Sequence, residues 1–174
     1  VGHGGRNDHR EGLKTMEDGA AHHIFQDWLD RVVAYVVAND YDAWRNTMSC
    51  PLLVDSAAGP SVMATEAQLR EKFEQWRTQI SVQRVTDLIR IAHDVHAMAT
   101  DHIEGAYTFD MLSNGKRIMP RFISCATLRF HDGHWRATEL NSGLAVKHRH
   151  LIHTTAQDDD MAVTPPPIAE GKTP

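Results

Sequence analysis

Cysteine, positive charge and long apolar runs are all scarce in this sequence, and each scarcity removes a class of protein. Only Cys50 and Cys125 occur in 174 residues. One possible pair, far apart in the chain, is no disulfide scaffold of the kind small secreted domains need, so free thiols in a reducing cytoplasm are expected. No apolar stretch approaches the roughly 20 residues that cross a bilayer. Residues 1–15, rich in Gly, His and charge, lack the apolar stretch of a secretory signal. A formal net charge of -5 offers no basic field to nucleic acid or anionic lipid, so neither is expected as a partner. A Gly-rich phosphate loop, a nucleophile elbow, a redox Cys pair and a His-Glu-x-x-His metal motif are missing too, and no cofactor is expected.

What remains is an ordinary globular composition, 41% hydrophobic and 24% charged, in a chain long enough to bury one core without staples. The chain opens with Val, and Met16 precedes Glu17-Asp18, where a helix can begin. Residues 1–16 are therefore expected to be a disordered extension. At the other end, Gln157-Asp158-Asp159-Asp160, Thr164-Pro165-Pro166-Pro167 and Glu170-Gly171-Lys172 cannot bury enough apolar area to offset their ordering entropy. The expected folded unit is residues 17–144, followed by a mobile tail over 145–174, with no internal repeat.

Within that unit the apolar pairs Ile24-Phe25, Trp28-Leu29, Val32-Val33 and Val36-Val37 recur every four residues and predict a long, mostly buried helix. It ends at Asn39-Asp40, where Asp40 can cap a short helix carrying Ala43, Trp44 and Met48 that Pro51 stops. Leu52-Leu53-Val54 and Ser61-Val62-Met63 read as short strands joined through Ala58-Gly59-Pro60. Thr65-Glu66-Ala67-Gln68 is a capping box opening a third helix with Leu69, Phe73, Trp76 and Ile80 on one side. After Ser81 the apolar period falls to two, giving strands over 85–92, 95–112, 118–130 and 135–141. Asn114-Gly115 and Asp132-Gly133 supply the positive backbone angles of tight hairpin turns, so His131-Asp132-Gly133-His134 is a turn rather than a reactive site. Helices first, then long strands, indicate an α+β domain in which a strongly curved antiparallel sheet wraps round the first helix.

These elements, with Asn39-Asp40-Tyr41-Asp42-Ala43-Trp44, the Thr65 helix, the Asn114-Gly115 hairpin and Thr127-Leu128-Arg129-Phe130 leading into Asp132-Gly133-His134-Trp135-Arg136, resemble the nuclear transport factor two-like superfamily over about residues 20–141. That group includes ketosteroid isomerase, scytalone dehydratase and polyketide cyclase relatives. The resemblance implies a cone-shaped sheet with an apolar cavity at its wide end and pairing through the sheet face into a homodimer. It implies no single activity. The isomerases' donor carboxyl matches a position near Ala126 and their helix-one tyrosine a position near Val32. Neither side chain donates a hydrogen bond, so walls without oxyanion donors are expected. Asp55 lies near the position of their general base.

The candidate residues follow. Asp55, at a strand end after Leu52-Leu53-Val54, is a candidate acid/base group if it points into the cavity, and otherwise an Asp that starts a turn. His102 and Glu104, two apart on one strand face with Asp110, form a candidate acid/base pair or part of a solvated outer face. Phe25, Trp28, Val32, Trp44, Met48, Phe122, Ser124 and Ala126 are candidate ligand contacts. Arg121 is a candidate anion anchor at the cavity mouth, with Glu139 as its neutralising partner. The histidine pairs do not suit a metal: His93 and His96 straddle an apparent strand-to-strand turn, and His148, His150 and His153 sit at the domain edge. The expected function is binding of a small, largely apolar ligand by a cytoplasmic homodimer. The alternatives are a cofactor-independent lyase or isomerase and a non-catalytic interaction module working through the sheet face.

Overall fold

A computed structural model describes residues 16–56 and 59–143. The expected extension, the expected tail and the His148, His150 and His153 cluster lie outside the described residues, apart from Met16. Helix α1, Asp18–Ala38, buries Ala21, Phe25, Trp28, Leu29, Val32 and Val36, a stripe repeating every three or four residues. The stripe is narrower than the paired pattern predicts, because Val37 is 57% exposed. Asn39 closes the helix in the left-handed conformation, its N–H reaching the carbonyls of Tyr35 and Val36. Arg77 of a later helix donates to the carbonyls of Val36 and Val37 at 3.1 Å, satisfying acceptors that the helix end leaves free.

Asp40 caps α2, Tyr41–Arg45, through the Ala43 N–H at 3.0 Å. This helix is shorter than expected: Met48 belongs to strand β1, Met48–Ser56, and Pro51 sits inside that strand after a cis peptide bond. Strand β2, Gly59–Met63, pairs with β1 as the sequence predicts. Helix α3, Glu66–Val82, opens on the complete capping box of Thr65 and Gln68.

The remaining strands are β3, Asp87–Ala99, β4, His102–Ser113, β5, Lys116–Arg117, β6, Phe122–His131, and β7, His134–Ser142. The hairpin between β3 and β4 turns at Thr100-Asp101, about seven residues later than expected. Its cause is the bulge between Ala92 and Val95, where exposed His93 and Asp94 imitate a turn inside a continuing strand. His93 and His96 therefore share one strand. The turns at Asn114-Gly115 and Asp132-Gly133 have positive φ at all four residues, as expected.

The strand order is β2-β1-β7-β6-β4-β3, with β5 on β4. The sheet is mixed rather than wholly antiparallel, because β1 runs parallel to β7. Parity could not reveal this pairing, which depends on where the chain re-enters the sheet after α2. Bulges or register shifts in β1, β3 and β6 bend the sheet, and α1 lies against β3 and β4 in its concavity. Gly105 of β4 makes that approach possible: a Cβ there would stand 2.8 Å from the Phe25 ring.

Candidate functional site

Between α1, α3 and the concave face of the sheet lies a partly open cavity of about 390 Å³. Trp28, Val32 and Val36 reach it from α1, Trp44 from α2, and Met48, Leu52 and Val54 from β1. Lys72 and Trp76 of α3, Arg90 of β3, Tyr107 and Phe109 of β4, and Phe122 and Ser124 of β6 complete most of the wall. Several of these side chains are fixed by their own contacts. Trp28 donates its ring N–H to the Thr47 carbonyl at 3.1 Å, and Trp44 packs on Phe73 with ring centres 5.3 Å apart. The wall is apolar and aromatic with a few polar groups, the usual make-up of a small-molecule site.

Six of the expected ligand contacts, Trp28, Val32, Trp44, Met48, Phe122 and Ser124, do line the cavity. Four do not. Phe25 is fully buried behind it, against Gly105, Trp28 and Tyr107, and Ala126 is buried outside the lining. Arg121 donates to Asp110 at 2.8 Å, and Arg117 donates to the other oxygen of that carboxylate at 2.6 Å. These two cations hold the Asp110 carboxyl at about 2, below its ordinary range. Asp110, not Glu139, is therefore the partner of Arg121, and Glu139 lies exposed on β7.

The two acid/base candidates also lie off the wall. Leu52, Val54 and Ser56 face the cavity, so alternation turns Asp55 to the other side of β1, where it is exposed, 3.5 Å from the Asn141 amide. His102 does stand 3.2 Å from Glu104, as its spacing suggests. Yet both share the strand face opposite Ile103, Gly105 and Tyr107, which turn inward. The outer-face alternative describes them. Among the described residues, no group of three or more His, Cys, Asp or Glu is arranged to hold a metal ion.

Walls without oxyanion donors were expected from Val32 and Ala126, and here the structure differs most. Arg90 and Tyr107 enter from strands β3 and β4, elements with no counterpart in that comparison of positions. Arg90 is 8% exposed, its Nε has no hydrogen-bond partner among the described residues, and burial lowers its pKa. Its guanidinium carbon lies 4.9 Å from the ring centres of both Trp76 and Phe109. Lys72 on α3 is half-buried, and burial pushes its ammonium down to about 8. Lys72 was missed in the sequence, although its place three residues after Leu69 and four before Trp76 puts it on the same helix face. Arg90 was not legible there, because Ile89 and Ile91 beside it suggest the opposite parity.

No protein-family model matches the chain, and no curated protein matches it in sequence. Solved structures do match the fold. A nuclear transport factor two-like protein of unknown function from Shewanella oneidensis MR-1 superposes with a TM-score of 0.53 at 12% identity, over 69% of this chain and 96% of that one. A protein of unknown function from Mycobacterium tuberculosis gives 0.52 at 15% identity, covering 79% and 80%. A domain of unknown function with a cystatin-like fold from Nostoc punctiforme gives 0.53 at 9%, covering 75% and 82%. The chain has the nuclear transport factor two-like fold, an α+β architecture with an open curved sheet.

Proposed function

We propose that the protein binds a small, largely apolar molecule in this cavity and that binding, rather than catalysis, is its activity. The observation that carries the reading is the cavity itself: about 390 Å³ of space walled by Trp28, Val32, Trp44, Met48 and Phe122, with polar groups confined to a few positions. A cavity filled by its own side chains would instead have favoured an interaction module. Acid/base chemistry by Asp55 or His102 gains no support, since neither side chain reaches the wall and no Asp, Glu or His is among the described lining residues.

The same reading includes a homodimer formed through the convex face of the sheet. Ile89 and Ile91 of β3 and Ile123 of β6 are 41%, 47% and 58% exposed there, separated by β4, whose Thr108 stands opposite both Ile91 and Ile123. Exposed apolar residues grouped in this way support an association surface. No helix among the described residues is long and apolar enough to cross a membrane. A cytoplasmic location belongs to the same proposal and draws its support from Cys50 and Cys125 standing as free thiols.

The test is calorimetric titration of the full chain with 2-naphthamide, a neutral bicyclic probe, against the wild type and Leu140→Trp, which fills the lining from β7. Saturable binding by the wild type, lost in the folded variant, is expected. No binding, or binding untouched by the filled cavity, would overturn the reading.

A further inference from the structure

Among the described residues, the charged side chains lining the cavity have one sign. Lys72 and Arg90 are cationic, and no Asp or Glu stands among the described lining residues. Arg117 and Arg121, each about half exposed, share Asp110, and Arg45 donates to Glu66 at 2.6 Å. The buried Nε atoms of Arg77 and Arg136, like that of Arg90, have no hydrogen-bond partner among the described residues, but of the three only Arg90 is among the residues that line the cavity. No carboxylate pairs with Arg90 among the described residues. The rings of Trp76 and Phe109 present negative faces to its guanidinium, but they offer no lone pair to its N–H groups. A guanidinium carries five donors in a planar fork, and taking it out of water is ordinarily compensated by a carboxylate or phosphate.

The strand beneath Arg90 is also fixed. Gln26 of α1 donates to the Arg90 carbonyl at 3.0 Å and accepts from the Ala92 N–H at 2.8 Å. These two bonds occupy the free edge of β3 on both sides of Ile91, so the backbone that carries Arg90 is tied to the helix that forms the opposite wall. Arg90 thus enters the cavity from a rigid base, against the packed rings of Trp76 and Phe109, with its Nε–H unpartnered among the described residues.

Extending the ligand-binding reading, on which this rests, we propose that the natural ligand is an amphipathic carboxylate whose head accepts a pair of hydrogen bonds from Arg90 and whose flat apolar body lies among Trp28, Trp44, Met48 and Phe122. The fork of a single arginine matches a carboxylate, with Lys72 supplying a second positive charge from α3. The planar fork of one arginine matches the two oxygens of a carboxylate more closely than a phosphate dianion, and among the described lining residues no helix N-terminus adds backbone donors.

The experiment compares 2-naphthoate with 2-naphthamide, which share a ring system and differ in charge, by calorimetry at pH 7 on the full chain. Wild-type protein is expected to bind naphthoate at least about tenfold more tightly, and Arg90→Met to reduce that preference below about threefold while still binding naphthamide. Equal affinities in the wild type, or a preference that survives Arg90→Met, would show that the arginine only packs between rings and would overturn the proposal. Naphthamide bound without preference removes the carboxylate assignment and leaves the cavity reading standing; failure of both probes removes both. If Arg90→Met does not fold, the wild-type comparison is joined by the Arg90 Nε–H resonance. That resonance should shift with naphthoate and not with naphthamide, and a signal unmoved by naphthoate counts against the assignment.

Discussion

Gly105 and Phe25 show how a single position sets the depth at which α1 lies in the sheet. With no Cβ on Gly105, the Phe25 ring reaches the β4 backbone, and a methyl group would stand 2.8 Å from a fully buried ring that has nowhere to go. Gly105→Ala is expected to destabilise the fold by about 1–3 kcal/mol through overpacking. Phe25→Ala should cost about 3–5 kcal/mol, with little effect on ligand affinity, because the ring stands behind the cavity wall. Urea denaturation of both variants checks these values. Asp110 tests electrostatics on the other face. Its carboxyl lies at about 2 rather than the ordinary 3.8, so its stabilisation is complete above pH 4 and is lost as pH falls towards 2. Both arginine partners are about half exposed, and solvent screening limits the effect: Asp110→Asn should cost about 1–2 kcal/mol at pH 7. The gap between wild type and variant should then close below pH 4 in acid denaturation curves.

At the scale of the element, what could be read from the sequence depended on whether a local signal had a competitor. The capping box of α3, the αL residue ending α1 and the Asn114-Gly115 and Asp132-Gly133 turns are local chemistry, and each formed where the residues indicated. Strand β3 had competing signals. His93-Asp94 resembles a turn but is a bulge, whereas the real turn at Thr100-Asp101 contains no glycine, asparagine or proline to announce it. Strand parity misled in the same element. Alternation puts Ile89 and Ile91 on one face and Arg90 on the other, and apolar residues are ordinarily assigned to the interior; here they lie on the convex face and the arginine faces in. Six cavity contacts were legible because they sit on elements with one apolar face. Asp55 and Arg121 were not, since one residue of register decides which side of the sheet a strand-end charge occupies. Helix α3 carries its own prediction. Burial holds Lys72 at about 8 instead of 10.5, so the wild type should gain stability as pH rises from about 8 to 10.5, where the unfolded chain keeps a proton that the folded chain has lost. Lys72→Met should lack that rise, so the stability difference between variant and wild type should shift in favour of the wild type across the same range in urea titrations.

At the scale of the whole molecule, one curved sheet offers two surfaces for which we propose different uses. The concave side holds α1 and leaves the cavity; the convex side exposes Ile89, Ile91 and Ile123 and is the proposed dimer face. The double substitution Ile91→Lys and Ile123→Lys should give a monomer by sedimentation while cavity binding persists, because neither residue belongs to the lining. The proposed division of uses requires that ligands enter the hollow rather than adhere to the exposed isoleucines. The most direct measurement is therefore the set of intermolecular nuclear Overhauser contacts made by bound 2-naphthoate. Contacts from its ring protons to Trp28, Met48 and Phe122 are predicted. Contacts confined to Ile89, Ile91 and Ile123 would contradict the account.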